Sequence, residues 1–80
     1  MRLDKYLKVS RLIKRRTVAA EACEGARVNV NGKPQKPSYQ VKEGDVLEIR
    51  FGEKRLRVEV LSVAEHASKD NSGALYREIE

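Results

Sequence analysis

The chain has one cysteine, one histidine, no tryptophan and one phenylalanine in 80 residues. A lone thiol, Cys23, cannot close an intrachain disulfide. That excludes the stapled scaffolds of small secreted proteins and points to a reducing, cytoplasmic compartment. Cys23 and His66, even with a carboxylate, cannot complete the usual four-ligand zinc site. Cys23 lies on an apolar helical stripe and reads as a small core residue, and His66 as a solvated loop residue. Asn31-Gly32-Lys33 lacks the spacing of a phosphate-binding loop. The carboxylates are scattered over edges and turns, and no nucleophile is placed with a base. No catalytic residue, cofactor or metal is therefore expected. No apolar run approaches the ~20 residues of a membrane span. Arg2 to Leu12 never becomes the continuous apolar stretch of a signal peptide, so a membrane partner is not expected.

Acids are scarce where bases are dense. Residues 1–40 hold ten basic and three acidic side chains, and residues 41–80 hold seven basic and nine acidic. The first sixteen residues, MRLDKYLKVSRLIKRR, carry seven bases against Asp4 alone. Eighty residues make one small domain with a modest core and little room for an enclosed active site. Charged residues are 36% of the chain and the pI is about 9.6. These values describe a binding module for an extended anion better than an enzyme.

Apolar spacing supplies the elements. Leu3, Tyr6, Leu7 and Ser10 follow i, i+3, i+4, i+7 and predict a helix over 3–12. Asp4 suits its first turn. Val18, Ala19, Ala22 and Cys23 predict a second helix over 14–24, stopped at Gly25, and periodicity leaves open whether a turn near Ser10–Ile13 separates the two or they run on. The period then changes to two. Residues 27–30 read as a strand, Asn31-Gly32 as a hairpin turn, and 33–36 as a return arm that Pro34 keeps off a central position. Residues 46–51 and 55–60 read as strands joined through Gly52-Glu53-Lys54. Residues 65–73 form a polar linker, and 74–80 are either a short helix with Leu75 and Ile79 inward or a frayed end. The fold class is α+β: two N-terminal helices packed on a small, mainly antiparallel sheet. Residues 1–63 form the domain with its supporting sheet, and 64–80 the linker and tail.

The basic face is the candidate site. Arg2, Lys5, Lys8, Arg11, Lys14, Arg15 and Arg16 line the helical segment, and Arg27, Lys33 and Lys36 continue the same sign along the hairpin. With one local acid, i,i+4 salt bridging cannot be their role. Guanidinium forks suit phosphate oxygens. Asp4 either complements the helix dipole or holds an arginine, Arg2 or Arg16, in a fixed pose. Tyr6 reads as core rather than a base-stacking ring. Asn and Gln, the residues that read DNA bases, are missing from both helices, which favours folded RNA recognised by shape and backbone.

The motifs RLDKYLK at 2–8, KRR-T-x-A-x-x-A at 14–22, G-A-R-V-N-V-N-G-K at 25–33, K-P-S at 36–38 and V-K-x-G-D at 41–45 resemble the S-four RNA-binding domain, over about residues 1–52. The short chain and the RLIKRR segment are similar to its stand-alone, ribosome-associated branch. That branch includes the fifteen-kilodalton heat-shock RNA-binding protein and, more similar still, the RqcP group. The resemblance implies the two-helix alpha-L arrangement with RNA on the helical face, and Arg2 and Arg16 as RNA contacts. Arg15 stands where many such domains have a Ser cap. The resemblance further implies a monomer that binds obstructed large ribosomal subunits carrying peptidyl-tRNA. It would contact ribosomal RNA and tRNA, and support alanine tailing with an RqcH-type factor, directly or indirectly. The alternative is a heat-shock-type RNA-binding protein or general RNA chaperone.

Overall fold

Helix α1 spans Leu3–Val9 and α2 spans Arg16–Glu24. Both are shorter than their apolar periodicity predicts, and the connection between them explains why. Arg11 takes the left-handed conformation (φ 66°), which an α-helix cannot continue through. The Ser10 hydroxyl donates back to the Leu7 carbonyl at 3.2 Å. The chain then turns Ile13 into the core at 8% exposure. Arg15 is extended (φ −120°, ψ 134°), so α2 starts at Arg16 rather than at Lys14. At its far end the Arg27 N–H bonds the Ala22 carbonyl and the Ala26 N–H bonds the Cys23 carbonyl. This is a Schellman stop with Ala26, not Gly25, in the left-handed position (φ 58°). Gly25 itself is the C-cap, with φ −83°. A Cβ there would lie 3.3 Å from the Glu21 carbonyl oxygen and 3.4 Å from Arg27 Nε.

The computed structural model describes residues 1–63 and 75–79. The strands are β1 (Val28–Val30), β2 (Lys33–Pro34), β3 (Val46–Phe51), β4 (Lys54–Val60) and β5 (Tyr76–Ile79). They form one antiparallel sheet in the order β2-β1-β3-β4-β5. Pro34 sits on the edge strand, where its missing N–H costs no ladder bond. Asn31 (φ 52°) and Gly32 (φ 86°) make the tight β1–β2 turn. The β3–β4 turn is Gly52-Glu53, so Lys54 belongs to β4 and pairs with Phe51.

The expectation for 74–80 is corrected within the described part. Residues 76–79 are strand β5, in register with β4 through Val60↔Tyr76 and Val58↔Glu78. Four residues carry too few turns to show a helical period, and β4 offers an open edge that satisfies their backbone groups. Leu75 does point inward, at 5% exposure. The polar segment 65–73 and His66 lie outside the described residues.

The two helices pack on the sheet through a single core. Leu3, Tyr6 and Leu7 of α1 and Ala19 of α2 are fully buried, with Cys23 at 4%. They meet the alternate residues Val28, Val30, Leu47, Ile49, Val58 and Val60. Complete burial of a Leu or Val side chain contributes roughly 1.5–3 kcal/mol. This core is what holds α1, and the charges on its outer side, at a fixed place on the sheet.

Candidate nucleic-acid interface

The site is organised from the start of α1. The N–H of Leu3 donates to the Tyr39 carbonyl at 2.8 Å and that of Asp4 to the Pro37 carbonyl at 3.2 Å. Arg2 also forms an isolated antiparallel bridge with Gln40. The first N–H groups of the helix are thus satisfied by the loop that contains Lys36. The next one, from Lys5, goes to the Asp4 carboxylate at 2.8 Å.

That carboxylate is buried, with 6% of its side chain exposed, and it also holds two arginines. Arg2 reaches it through Nε at 3.3 Å and Nη2 at 3.4 Å. Arg16, at the first position of α2, reaches Oδ2 through Nε at 3.4 Å. Asp4 therefore lies in the first turn of its own helix, where it accepts the Lys5 N–H, and also contacts both Arg2 and Arg16. The two arginine side chains remain 49% and 47% exposed. Each uses Nε toward Asp4. Pre-set guanidinium groups lose less freedom on meeting phosphate than free ones.

A second group gathers at the end of α1. Lys8, Arg11 and Lys14, with Val9, line a concavity of about 450 Å³. The left-handed turn at Arg11 is what brings these three together. Arg15 occupies the N-cap of α2 without a side-chain cap, and the first turn of that helix has no acid. The positive end of the helix dipole therefore adds to Arg15 and Arg16 instead of being neutralised. Arg27, exposed, follows α2 and lies with Lys14 along a neighbouring groove. Lys36 is exposed in the loop that caps α1, and its carbonyl accepts the Tyr39 N–H at 3.0 Å. Lys33 lies on edge strand β2, and no ion pair joins it to the helical groups among the described residues. Lys5 is half-buried, unlike the other nine.

Tyr6 is fully buried, and its hydroxyl donates to the Leu75 carbonyl at 2.6 Å. Burial, with Tyr76 adding to it, pushes its phenol far upward. Cys23 is a buried free thiol, pushed up to about 11 first by desolvation and then by the charges of Asp4 and Glu24. Neither group is available to a ligand.

Sequence reasoning missed one network. Buried Asp45 accepts from Asn31 Nδ2 at 3.1 Å, the Tyr39 hydroxyl at 3.0 Å and the Lys42 N–H at 2.9 Å. Asn31 Oδ1 accepts the Val46 N–H at 2.9 Å. Burial and Asp45 together raise the Tyr39 phenol above its ordinary value. This network ties the hairpin to the loop that caps α1. Its traces in the sequence are Asn31 beside Gly32, where turn formation already accounts for the residue, and the V-K-x-G-D stretch that supplies Lys42 and Asp45.

Comparison with known proteins agrees with this geometry. Residues 1–47 match the S4 domain. The chain is 57% identical over 76 residues to the RQC P-site tRNA stabilizing factor of Halalkalibacterium halodurans, covering 95% of this chain and 86% of that one. It is 47% identical over 76 residues to the factor of the same name from Bacillus subtilis, covering 95% and 88%. Among solved structures, trimeric heat shock protein 15 of Vibrio cholerae superposes with a TM-score of 0.88 at 31% identity, covering 99% of this chain and 81% of that one. With two helices on an antiparallel sheet and this match over 1–47, the chain belongs to the S4 domain family of RNA-binding proteins.

Proposed function

We propose that this protein is a non-enzymatic, cytoplasmic ribosome-associated quality-control factor. It binds obstructed large ribosomal subunits, contacts ribosomal RNA and peptidyl-tRNA, and holds that tRNA in place while an RqcH-type partner adds alanine to the stalled chain. The observation that carries the reading is the pair Arg2 and Arg16, half exposed and held by one buried carboxylate. Lys5, Lys8, Arg11, Lys14 and Arg15 extend the phosphate-binding face around that pair, and Arg27, Lys33 and Lys36 widen the footprint. The names of the relatives at 47–57% identity support the ribosomal assignment. The protein makes no bond itself, and it acts as a monomer of 9.1 kDa. A trimeric mass in sedimentation equilibrium would overturn that last point.

The test is co-sedimentation with large subunits. Arg16→Ala abolishes it while the circular-dichroism spectrum stays native. Normal binding by that variant refutes the assignment of this face. Wild-type binding also weakens steeply with salt, because phosphate contacts release counterions. The second reading, a heat-shock-type RNA-binding protein or general RNA chaperone, is favoured by the likeness to heat shock protein 15. Pull-down from cells separates the two. Large subunits with tRNA support the first reading, and mixed RNA supports the second.

A further inference from the structure

We propose that the groove between α2 and the β3–β4 turn receives one unstacked nucleobase against Phe51, with Lys14, Arg27 and Arg50 on its phosphates. This rests on the RNA-binding reading above and adds a site for a flipped or bulged nucleotide to it.

The starting point is strand period. Leu47, Ile49 and Phe51 share one face of β3. The first two are covered by the helical layer, at 0% and 1% exposure, whereas Phe51 is 45% exposed. The apolar face of the sheet thus runs out from beneath the helices. Val18 of α2, also 45% exposed, stands on the other side of the gap. Between them lies a recess of about 300 Å³.

Of the four aromatic rings in the chain, Tyr6 is buried, Tyr39 and Tyr76 are half-buried, and Phe51 alone is exposed. The recess is bordered by three cations and by no carboxylate. Among the described residues, Lys14, Arg27 and Arg50 have no ion-pair partner. Arg27 and Arg50 are fixed beside one another, because the Arg50 N–H donates to the Arg27 carbonyl at 2.9 Å.

An apolar wall with an aromatic ring and a cationic rim selects a ligand that is flat and apolar in one part and anionic in another. A nucleotide out of its stack has that chemistry, and stacking on an aromatic side chain is a recurrent mode for unpaired bases. An acidic amphipathic helix shares the charge pattern but needs a groove several turns long. Continuity also favours RNA. Lys14 borders this recess and also the Lys8–Arg11 concavity, so a strand lying along the basic helical face leads directly into it.

The test measures anisotropy with two labelled RNA hairpins at one salt concentration, one carrying a single bulged adenosine and the other fully paired. Wild-type protein prefers the bulged hairpin. Phe51→Ala weakens that complex about tenfold and leaves the paired hairpin unaffected. Phe51→Tyr keeps the preference and Phe51→Leu loses it. Unchanged bulged-hairpin affinity in Phe51→Ala overturns the proposal, as does a preference retained equally by Phe51→Leu. So does tighter, Phe51-dependent binding of an acidic amphipathic peptide than of the bulged hairpin. A wild-type protein that binds neither hairpin sinks the RNA-binding reading itself, an outcome distinct from the loss of Phe51 dependence alone.

Discussion

Replacing Asp4 by Asn separates pre-organisation from bulk charge. The substitution keeps size and shape, removes the charge that holds Arg2 and Arg16, and makes the protein one unit more positive. If attraction between net charges governed RNA binding, the variant would bind more tightly. The structure predicts the reverse. Each arginine loses its anchor at 3.3–3.4 Å and gains rotamer freedom that binding must then remove. That ordering costs about 0.5–1.5 kcal/mol per side chain. For two side chains the expected weakening is about 1–3 kcal/mol, or roughly 5- to 150-fold. The fold survives, because both arginines are about half exposed and such pairs contribute only ~0–1 kcal/mol each to stability. The assay is affinity for purified large subunits at fixed ionic strength, with a urea melt alongside. Equal or tighter binding by a folded Asp4→Asn protein refutes the clamp.

Further outcomes follow from particular contacts. Tyr6→Phe removes the 2.6 Å bond to the Leu75 carbonyl and lowers stability by about 1 kcal/mol, with faster amide exchange in β5 as its signature. Protection unchanged in β5 would show that the hydroxyl does not secure that strand. Asn31→Ala deletes the bonds to Asp45 and Val46 and forces alanine to φ 52°; a loss of about 2–3 kcal/mol in urea denaturation is expected. Cys23 titrates near 11 instead of its ordinary 9.0, so between those values the unfolded chain has lost the proton that the folded chain keeps. Stability therefore falls as pH rises through that window. Cys23→Ala flattens the fall, and an unaltered slope in that variant contradicts the assignment. The native thiol also resists iodoacetamide at pH 8.

Much of the architecture was legible because the signals are local. Tyr6 and Leu7 at helical spacing, Val28 and Val30 at period two, and Asn31-Gly32 at a left-handed turn each state a preference within a few residues. The misread points are those where a distant group decided the outcome. The first helix stops at Val9 because Ile13 must reach the core through a left-handed Arg11. Residues 76–79 extend as a strand because β4 presents an unpaired edge.

The sequence by itself determined where the positive charge lies and that it rides on amphipathic helices, since composition and period are properties of neighbouring residues. The tertiary structure alone decided that one buried carboxylate serves both Arg2 and Arg16, that Asp45 locks the hairpin to the loop capping α1, and that Phe51 escapes the helical cover. Each depends on how far one layer overlaps another or on which loop reaches which helix end. Packing of the whole chain sets those relations, and no short window of residues contains them.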